Sequence, residues 1–397
     1  MKKKIIGALL SVVMIVGLVA GCSSSSSDSS SGSSAGSDAL SKDNIKVGFV
    51  YIGDDSDQGY TSNFMDGTKE MKKALGLSDD QVIEKTNVGE DSSCETALRE
   101  LAEGGCNIIF ATSFGFEDYV MEVAGDYPDV QFCHATGYQS AASELANVHN
   151  YFSSIYEARY LTGIIAGMKT ETNKIGYVAA MPYSEVISGY TAFYLGAKSV
   201  NPDVQMEVQY TNTWNDANLE AQLAQALVDD GCDVIGQHCD SAAAATTAEK
   251  AGVWQIGYNT NMIDKAPKAS ITSCRCDWGI YAEYAVQSLL DGKEIDKDWS
   301  QGLAENAVLV TDYNEDLMPE GAADAVEKAK QSIIDGDLHV FDTSTFTVDG
   351  KEMTTYKNDF GTEFIKDGYF HEQEIGYGGS SPAFPSDWII DGITVKK

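Results

Sequence analysis

Positive charge is scarce in this chain. Lysine and arginine total 27 against 60 aspartates and glutamates, a formal net charge of −33. That balance excludes a nucleic-acid partner, because a phosphate backbone is gripped through a basic surface. Cysteine is too irregular for a disulfide scaffold. Of eight cysteines, Cys22 directly follows the N-terminal leader described below, and the odd remainder cannot all pair. Cys106, Cys133 and Cys232 stand inside apolar strand-like runs, where a thiol acts as a small core residue. The places where Cys and His crowd, "QHCD" (His238, Cys239) and "TSCRC" (Cys274, Cys276), match no zinc spacing. No metal or other cofactor is therefore expected. Nucleophile elbow, metal-hydrolase and dinucleotide motifs are missing as well. Neighbours on a strand face opposite ways, so His238 and Cys239 do not make a catalytic pair. The reading is a binding protein, not an enzyme.

The long hydrophobic run is N-terminal: "MKKKIIGALLSVVMIVGLVAGC", three lysines, an apolar stretch and small residues before Cys22. It is at the short limit for a bilayer span and passes directly into serines. The pattern predicts a lipoprotein signal peptide over 1–21 and a lipid on Cys22, which would anchor the chain outside the cell membrane. Residues 22–42, rich in serine and glycine, read as a disordered tether, since they bury too little apolar surface to offset the entropy of ordering. The remaining ~355 residues exceed one ordinary core and argue for two lobes.

Those residues are written twice. "IKVGFVYIGD" (45–54) resembles "NKIGYVAAMP" (173–182), and "FMDGTK" (64–69) resembles "FYLGAK" (193–198). "KTNVGED" (85–91) pairs with "YTNTWND" (210–216), "ALRELAEGGCNIIFATS" (97–113) with "ALVDDGCDVIGQHCDS" (226–241), and "DVQFCHATGY" (129–138) with "GVWQIGYNTN" (252–261). The offset stays within a few residues of about 126, which marks a duplicated unit. Within each copy, apolar runs alternate with helix-period stretches. Val186, Tyr190, Phe193 and Ala197 share one face, as do Leu219, Leu223 and Leu227. Runs apolar on both sides are strands of a parallel sheet covered by helices, so the fold class is α/β with two doubly wound lobes. The expected division is lobe 1 over 43–151, continued at about 272–310, and lobe 2 over 152–271. Crossings are expected near 150–153, 270–274 and 305–315, and the segment 311–397 is left unassigned. "TVDGKEM" in that segment reads as an Asp-Gly hairpin.

Ligands of such sheets bind at the carboxyl ends of the strands. The loops there are "GDDSDQGYT" with "MPYSEV", "VGED" with "TWND", "TSFGF" with "HCDS", and "ATGY" with "YNTN". They carry Asp57, Tyr60, Phe114, Phe116, Tyr138, Glu185, Trp214, His238, Asp240, Asn259 and Asn261. Aromatic rings, carboxylates and amides without a lysine or arginine suit a flat neutral ligand with hydrogen-bonding edges, such as a purine or pyrimidine base. The stretch "GDDSDQGYTSNF" lacks the spacing of a phosphate or calcium loop and reads as one wall of that cleft. Asp57 has a second reading as a helix N-cap.

The motifs "DQGYT" (57–61), "ATSFGF" (111–116), "NYFSSIYEARYLTGIIAGMKT" (150–170), "GAKSVNPDV", "NTWND", "GCDVIGQHCDS" and "IGYNTN" resemble the basic membrane protein family of lipoprotein solute receptors. The resemblance covers about residues 45–335 and implies a type I periplasmic-binding-protein fold and a nucleobase or nucleoside as ligand. It further implies a permease and an ATPase of an ABC importer as partners, and a monomer. Asp57 resembles the family's base-reading aspartate, Tyr60 and Phe114 its stacking residues, and Trp214, Asp240 and Trp278 the signature of one branch. Two departures stand out. Asn259 and Asn261 occupy a loop where relatives carry aspartate for the ribose, which points toward a free base or modified nucleoside, and Phe64 replaces a histidine. A ligand-sensing regulator and a receptor for a sugar are the alternatives.

Overall fold

The structure, a computed structural model, describes residues 39–396. The leader, Cys22 and the tether as far as Asp38 lie outside the described residues. From Leu40 the chain forms one compact unit that holds two large sheets.

Copy one supplies β1 (Val47–Val50), β2 (Val82–Lys85), β3 (Ile108–Ala111), β4 (Gln131–Ala135) and β5 (Val148–Tyr151). Copy two supplies β6 (Lys174–Ala179), β7 (Gln205–Tyr210), β8 (Val234–Gln237), β9 (Trp254–Tyr258) and β10 (Ser270–Cys276). Later come β11 (Asp298–Trp299), β12 (Val308–Val310), the small hairpin β13 (Ile365–Lys366) and β14 (Tyr369–Phe370), and β15 (Ile393–Val395). The first sheet has the order β11-β5-β4-β3-β1-β2 and the second β12-β10-β9-β8-β6-β7-β15. The two cores, β2-β1-β3-β4-β5 and β7-β6-β8-β9-β10, have the same parallel order, so the sequence repeat is a repeat of folds. Val47 to Val50 are buried throughout, as a strand covered on both faces requires.

The helices are α1 (Tyr60–Leu75), α2 (Ser92–Glu103), α3 (Glu117–Asp126), α4 (Ile155–Lys169), α5 (Ser184–Val200), α6 (Ala217–Asp229), α7 (Ala243–Ala251), α8 (Trp278–Leu290) and α9 (Ala322–Ile334). The glycine shared by "FMDGTK" and "FYLGAK" has a packing cause. A Cβ on Gly196 of α5 would lie 2.0 Å from the Tyr160 carbonyl oxygen of α4, and one on Gly67 of α1 would lie 2.7 Å from the Gly279 nitrogen of α8. Gly163 and Gly167 face α5 in the same way, so backbone meets backbone along both pairs. Val186, Tyr190, Phe193 and Ala197 are buried as the period predicts. Helix α6 differs: its buried residues are Glu220, Ala224 and Leu227, with Leu219 and Leu223 only half-buried. Glu220 turns inward because the Ser241 hydroxyl donates to its carboxylate at 2.5 Å.

Two boundaries shift from the expected ones. Strand β10 runs parallel to β9 in the second sheet, so the chain returns to lobe 1 after Cys276 instead of at 270–274. It belongs there because it is the fifth strand of the second copy, as β5 is of the first. Asp298 and Trp299 pair with Asn150 and Tyr151, which puts the last crossing between β11 and β12, at 300–307, ahead of 305–315. The C-terminal segment joins the edge of lobe 2, where Ile393–Val395 pair with Met206–Val208. The Asp-Gly hairpin is present: Val348 and Lys351 exchange 3.0 Å backbone bonds around Asp349 and Gly350, both at positive φ. The seven cysteines of the described residues are free and buried.

Candidate functional site

A narrow cavity lies between the carboxyl ends of the two sheets. Lobe 1 contributes Ile52 beyond β1, Tyr60 at the start of α1, Ser113 and Phe114 beyond β3, and Thr136 beyond β4. Lobe 2 contributes Glu185 in the first turn of α5, Trp214 beyond β7, His238 and Asp240 beyond β8, and Tyr258 at the end of β9. Parallel pairing brings these loops together, because every strand of one sheet ends on the same side. The lobes are shut on the cavity. The Thr260 hydroxyl donates to the Gln58 carbonyl at 2.6 Å, and a Cβ on Gly59 would lie 1.9 Å from the Asp240 carbonyl oxygen, so only glycine fits there.

The walls are rings and the floor is polar. Phe114 lies 5.7 Å from Tyr183, which lies 6.0 Å from Trp214. Tyr60 is fixed by a 2.7 Å bond from its hydroxyl to the Thr112 carbonyl. On the floor, His238 Nε2 is 3.5 Å from Glu185 Oε1, and its ring lies 4.7 Å from that of Tyr258. The other face of this cluster is Arg159 of α4, buried, its guanidinium 3.8 Å from the Tyr258 ring centre and its Nη1 donating to the Gln237 carbonyl at 2.7 Å. Several buried polar atoms here have no hydrogen-bond partner: both His238 nitrogens, Arg159 Nε and Nη2, the Tyr258 hydroxyl and Asn259 Oδ1. Unpartnered groups at a buried site are costly and are what a polar ligand edge would satisfy.

Burial sets the charge state. Desolvation holds Asp240 well above the usual carboxylate range, reinforced by Asp57, Glu220 and Glu185. Desolvation lifts Glu185 to about 7, while the Arg159 charge pulls the other way. His238 is pushed well below its ordinary value, first by desolvation and then by Arg159. At neutral pH the floor offers a neutral imidazole, which both donates and accepts hydrogen bonds, and burial favours the protonated form of Asp240 beside it. His238 and Cys239 face opposite ways: the Cys239 thiol lies 3.7 Å from the Val178 carbonyl in a separate apolar cluster.

Of the residues expected from sequence, the structure gathers Tyr60, Phe114, Glu185, Trp214, His238 and Asp240 around the cavity. Tyr138 lines an adjoining groove instead. Asp57 caps α1, accepting from the backbone nitrogens of Gly59, Thr61 and Ser62 at 2.9, 2.7 and 3.1 Å, so its two oxygens are occupied by the helix N-terminus. Phe116 is fully buried in the lobe 1 core, since the turn after β3 points Phe114 outward and Phe116 inward. Asn259 sits behind the floor at φ 66°, its amide 3.4 Å from Asp240, and Asn261 bonds the Ile263 nitrogen in a surface turn. Trp278 is buried and stacks on Phe64 at 4.1 Å. Phe64 is thus apolar because it packs against an indole.

Sequence reasoning missed Ser113, Thr136, Tyr258 and Arg159. Arg159 left one signal, a lone cation in the apolar run Ile155–Met168. Thr136 left a subtler one through the repeat. It aligns with Asn259, and both adopt left-handed backbone, φ 69° and 66°. For a β-branched residue that is strained.

Comparison with known proteins agrees with this architecture. The family described as "ABC transporter substrate-binding protein PnrA-like" (Bmp) matches residues 44–343. A purine-binding protein of Brucella abortus is 36% identical over 79% of this chain and 88% of its own. A putative ABC transporter glucose-binding protein of Haloferax volcanii is 34% identical over 78% of each. Among solved structures, an ABC transporter solute-binding protein of Aeropyrum pernix superposes with a TM-score of 0.65 at 19% identity, covering 75% of this chain and 93% of that one. That likeness concerns the fold: two sheets of a periplasmic-binding protein with a cleft between them. This chain belongs to the Bmp family of ABC transporter substrate-binding proteins.

Proposed function

We propose that this protein is the membrane-anchored, extracytoplasmic receptor of an ABC importer, and that it closes its two lobes around a purine-type nucleobase or nucleoside. The observation that carries the reading is the make-up of the closed cavity, walled by Tyr60, Phe114, Trp214 and Tyr258 over the polar floor of Glu185, His238 and Asp240. Aromatic walls with a few convergent polar groups are the character of a small-molecule site. Ring faces take the flat faces of a base, while the floor meets its edge with donors and acceptors. Closure around the ligand shifts the population toward the form that the permease recognises. The lipid on Cys22 would keep the body near that permease. Among the described residues no helix is long and apolar enough to cross a membrane. The purine-binding relative supports the ligand class, and the relative titled as glucose-binding supplies the competing arm of the test.

The test is a thermal-shift screen followed by titration calorimetry with purine and pyrimidine bases, their nucleosides, glucose and amino acids. A ligand at a hundred times its dissociation constant adds about 2.7 kcal/mol of stability. Purines shift the transition and Trp214→Ala abolishes the shift if the reading is right. A response to glucose alone refutes it.

A further inference from the structure

We propose that Arg159 is a positioning residue of the ligand site: it fixes His238 in the tautomer with the proton on Nε2, so that the floor turns an N–H donor toward the cavity and selects a ligand with an acceptor there, such as a purine ring nitrogen. The ligand half of this inference deepens the purine reading above and rests on it; the tautomer stands on the protein alone.

Three observations lead there. First, the two nitrogens of His238 have different neighbours. A Cβ on Gly189 of α5 would lie 3.1 Å from His238 Nδ1 and 3.6 Å from Arg159 Nε, so those two atoms flank one gap beside the glycine. On the other edge of the ring, Nε2 is 3.5 Å from Glu185 Oε1. A guanidinium donates hydrogen bonds and accepts none. A proton on Nδ1 would therefore point at a cation, whereas a proton on Nε2 points toward a carboxyl oxygen, and both edges favour the same form. Desolvation and the Arg159 charge keep the ring neutral, so it carries one proton and the choice of nitrogen decides what the cavity meets.

Second, Arg159 is held in place at a cost. It is 1% exposed, its Nη1 donates to the Gln237 carbonyl at 2.7 Å, and its Nε and Nη2 make no hydrogen bond. A buried cation with two unbonded nitrogens weighs against stability, and what it supplies in return is a fixed charge beside His238. Third, the imidazole is held in its orientation. The Gln237 side chain donates to the Cys239 and Ser241 carbonyls at 3.1 and 2.8 Å and accepts from Gln255 at 2.9 Å, which locks the turn that carries His238. The Tyr258 ring lies against the imidazole and against the guanidinium. His238 and Glu185 both line the cavity, so an Nε2–H there needs an acceptor from the ligand. A purine ring nitrogen supplies one, while an amino group in its place would set two donors against each other.

Nuclear magnetic resonance of the full chain carrying isotopically labelled histidine reads the tautomer without any ligand. His238→Gln assigns the signal among the five histidines. The expected result is an Nε2–H imidazole in wild type and in Arg159→Lys, which keeps a donor-only cation, and loss of that single form in Arg159→Met. Arg159→Gln, uncharged and able to accept, gives the same loss and keeps the test open if Arg159→Met does not fold. An Nδ1–H tautomer in wild type, or an unchanged tautomer in the folded Met or Gln variant, overturns the proposal. Titration calorimetry with adenine and its 1-deaza, 3-deaza and 7-deaza analogues reads the ligand half. Removing the nitrogen that meets His238 should weaken binding about tenfold in wild type, and Arg159→Met should remove most of that difference. Adenine that binds no better than any of the three analogues overturns the selection. Binding of none of the four fails the purine reading alone, and the resonance result still decides the tautomer.

Discussion

Glu185 gives the most quantitative handle on this site. Its carboxyl is lifted from 4.5 to about 7 by burial. A shift of that size corresponds to roughly 3 kcal/mol between protonation states. Below pH 4.5 the residue is protonated in both folded and unfolded chains and costs nothing. Between 4.5 and about 7 the folded protein holds a proton that the unfolded chain has lost, so stability falls as pH rises. Above about 7 the folded residue ionises too and the full penalty remains. Glu185→Gln keeps the shape without the charge. Denaturant unfolding of the ligand-free protein and this variant, at pH 4.5 and pH 8.5, isolates the residue. The variant should match wild type at the lower pH and exceed it by up to ~3 kcal/mol at the higher. A difference that does not change with pH, or a variant less stable at pH 8.5, would refute the argument. The second outcome would mean that the negative charge is needed to balance buried Arg159.

Three further perturbations test other parts of the structure. Gly196→Ala puts a methyl where 2.0 Å separates a Cβ from the Tyr160 carbonyl, and overpacking should cost about 1–3 kcal/mol in equilibrium unfolding, with loss of ligand binding only in proportion. Thr136→Asn replaces a strained β-branched residue at φ 69° with one that tolerates left-handed backbone. It should raise stability by ~1 kcal/mol and alter ligand affinity, as calorimetry and melting curves would show; a lower melting temperature would contradict the strain. Ser380→Ala leaves Asn150 and Asp298 short of a partner and should cost about 1–3 kcal/mol in denaturant unfolding; an unchanged midpoint would show the tail to be loosely held.

Much of this protein is readable from local pattern. The duplicated strings place β1 to β5 and β6 to β10 in matching order, because strands buried on both faces and helices with one apolar face leave a repeating signature in composition. Six of the cavity residues follow from the same logic, since loops at the carboxyl ends of parallel strands converge whatever their sequence. The repeated glycine at 67 and 196 was visible too, although its cause, backbone contact with α8 and α4, was not.

What only the tertiary structure decided is how neighbours in space divide the work. Asp57 stands in a cleft loop, yet the free N–H groups of α1 lie closer than any ligand and take both its oxygens. Trp278 carries no mark that separates a ligand-facing indole from one stacked on Phe64, because Phe64 is 214 residues away in the chain and meets it only through the packing of α1 on α8. Arg159 becomes part of the site only because α4 crosses into lobe 2 and sets a guanidinium against Tyr258 and His238. The tail reaches the mouth of the cleft by hydrogen bonds to Asp298 and Asn150, contacts between segments that share no local pattern. Periodicity reports which face of an element is buried; it holds no information about which distant group that face meets.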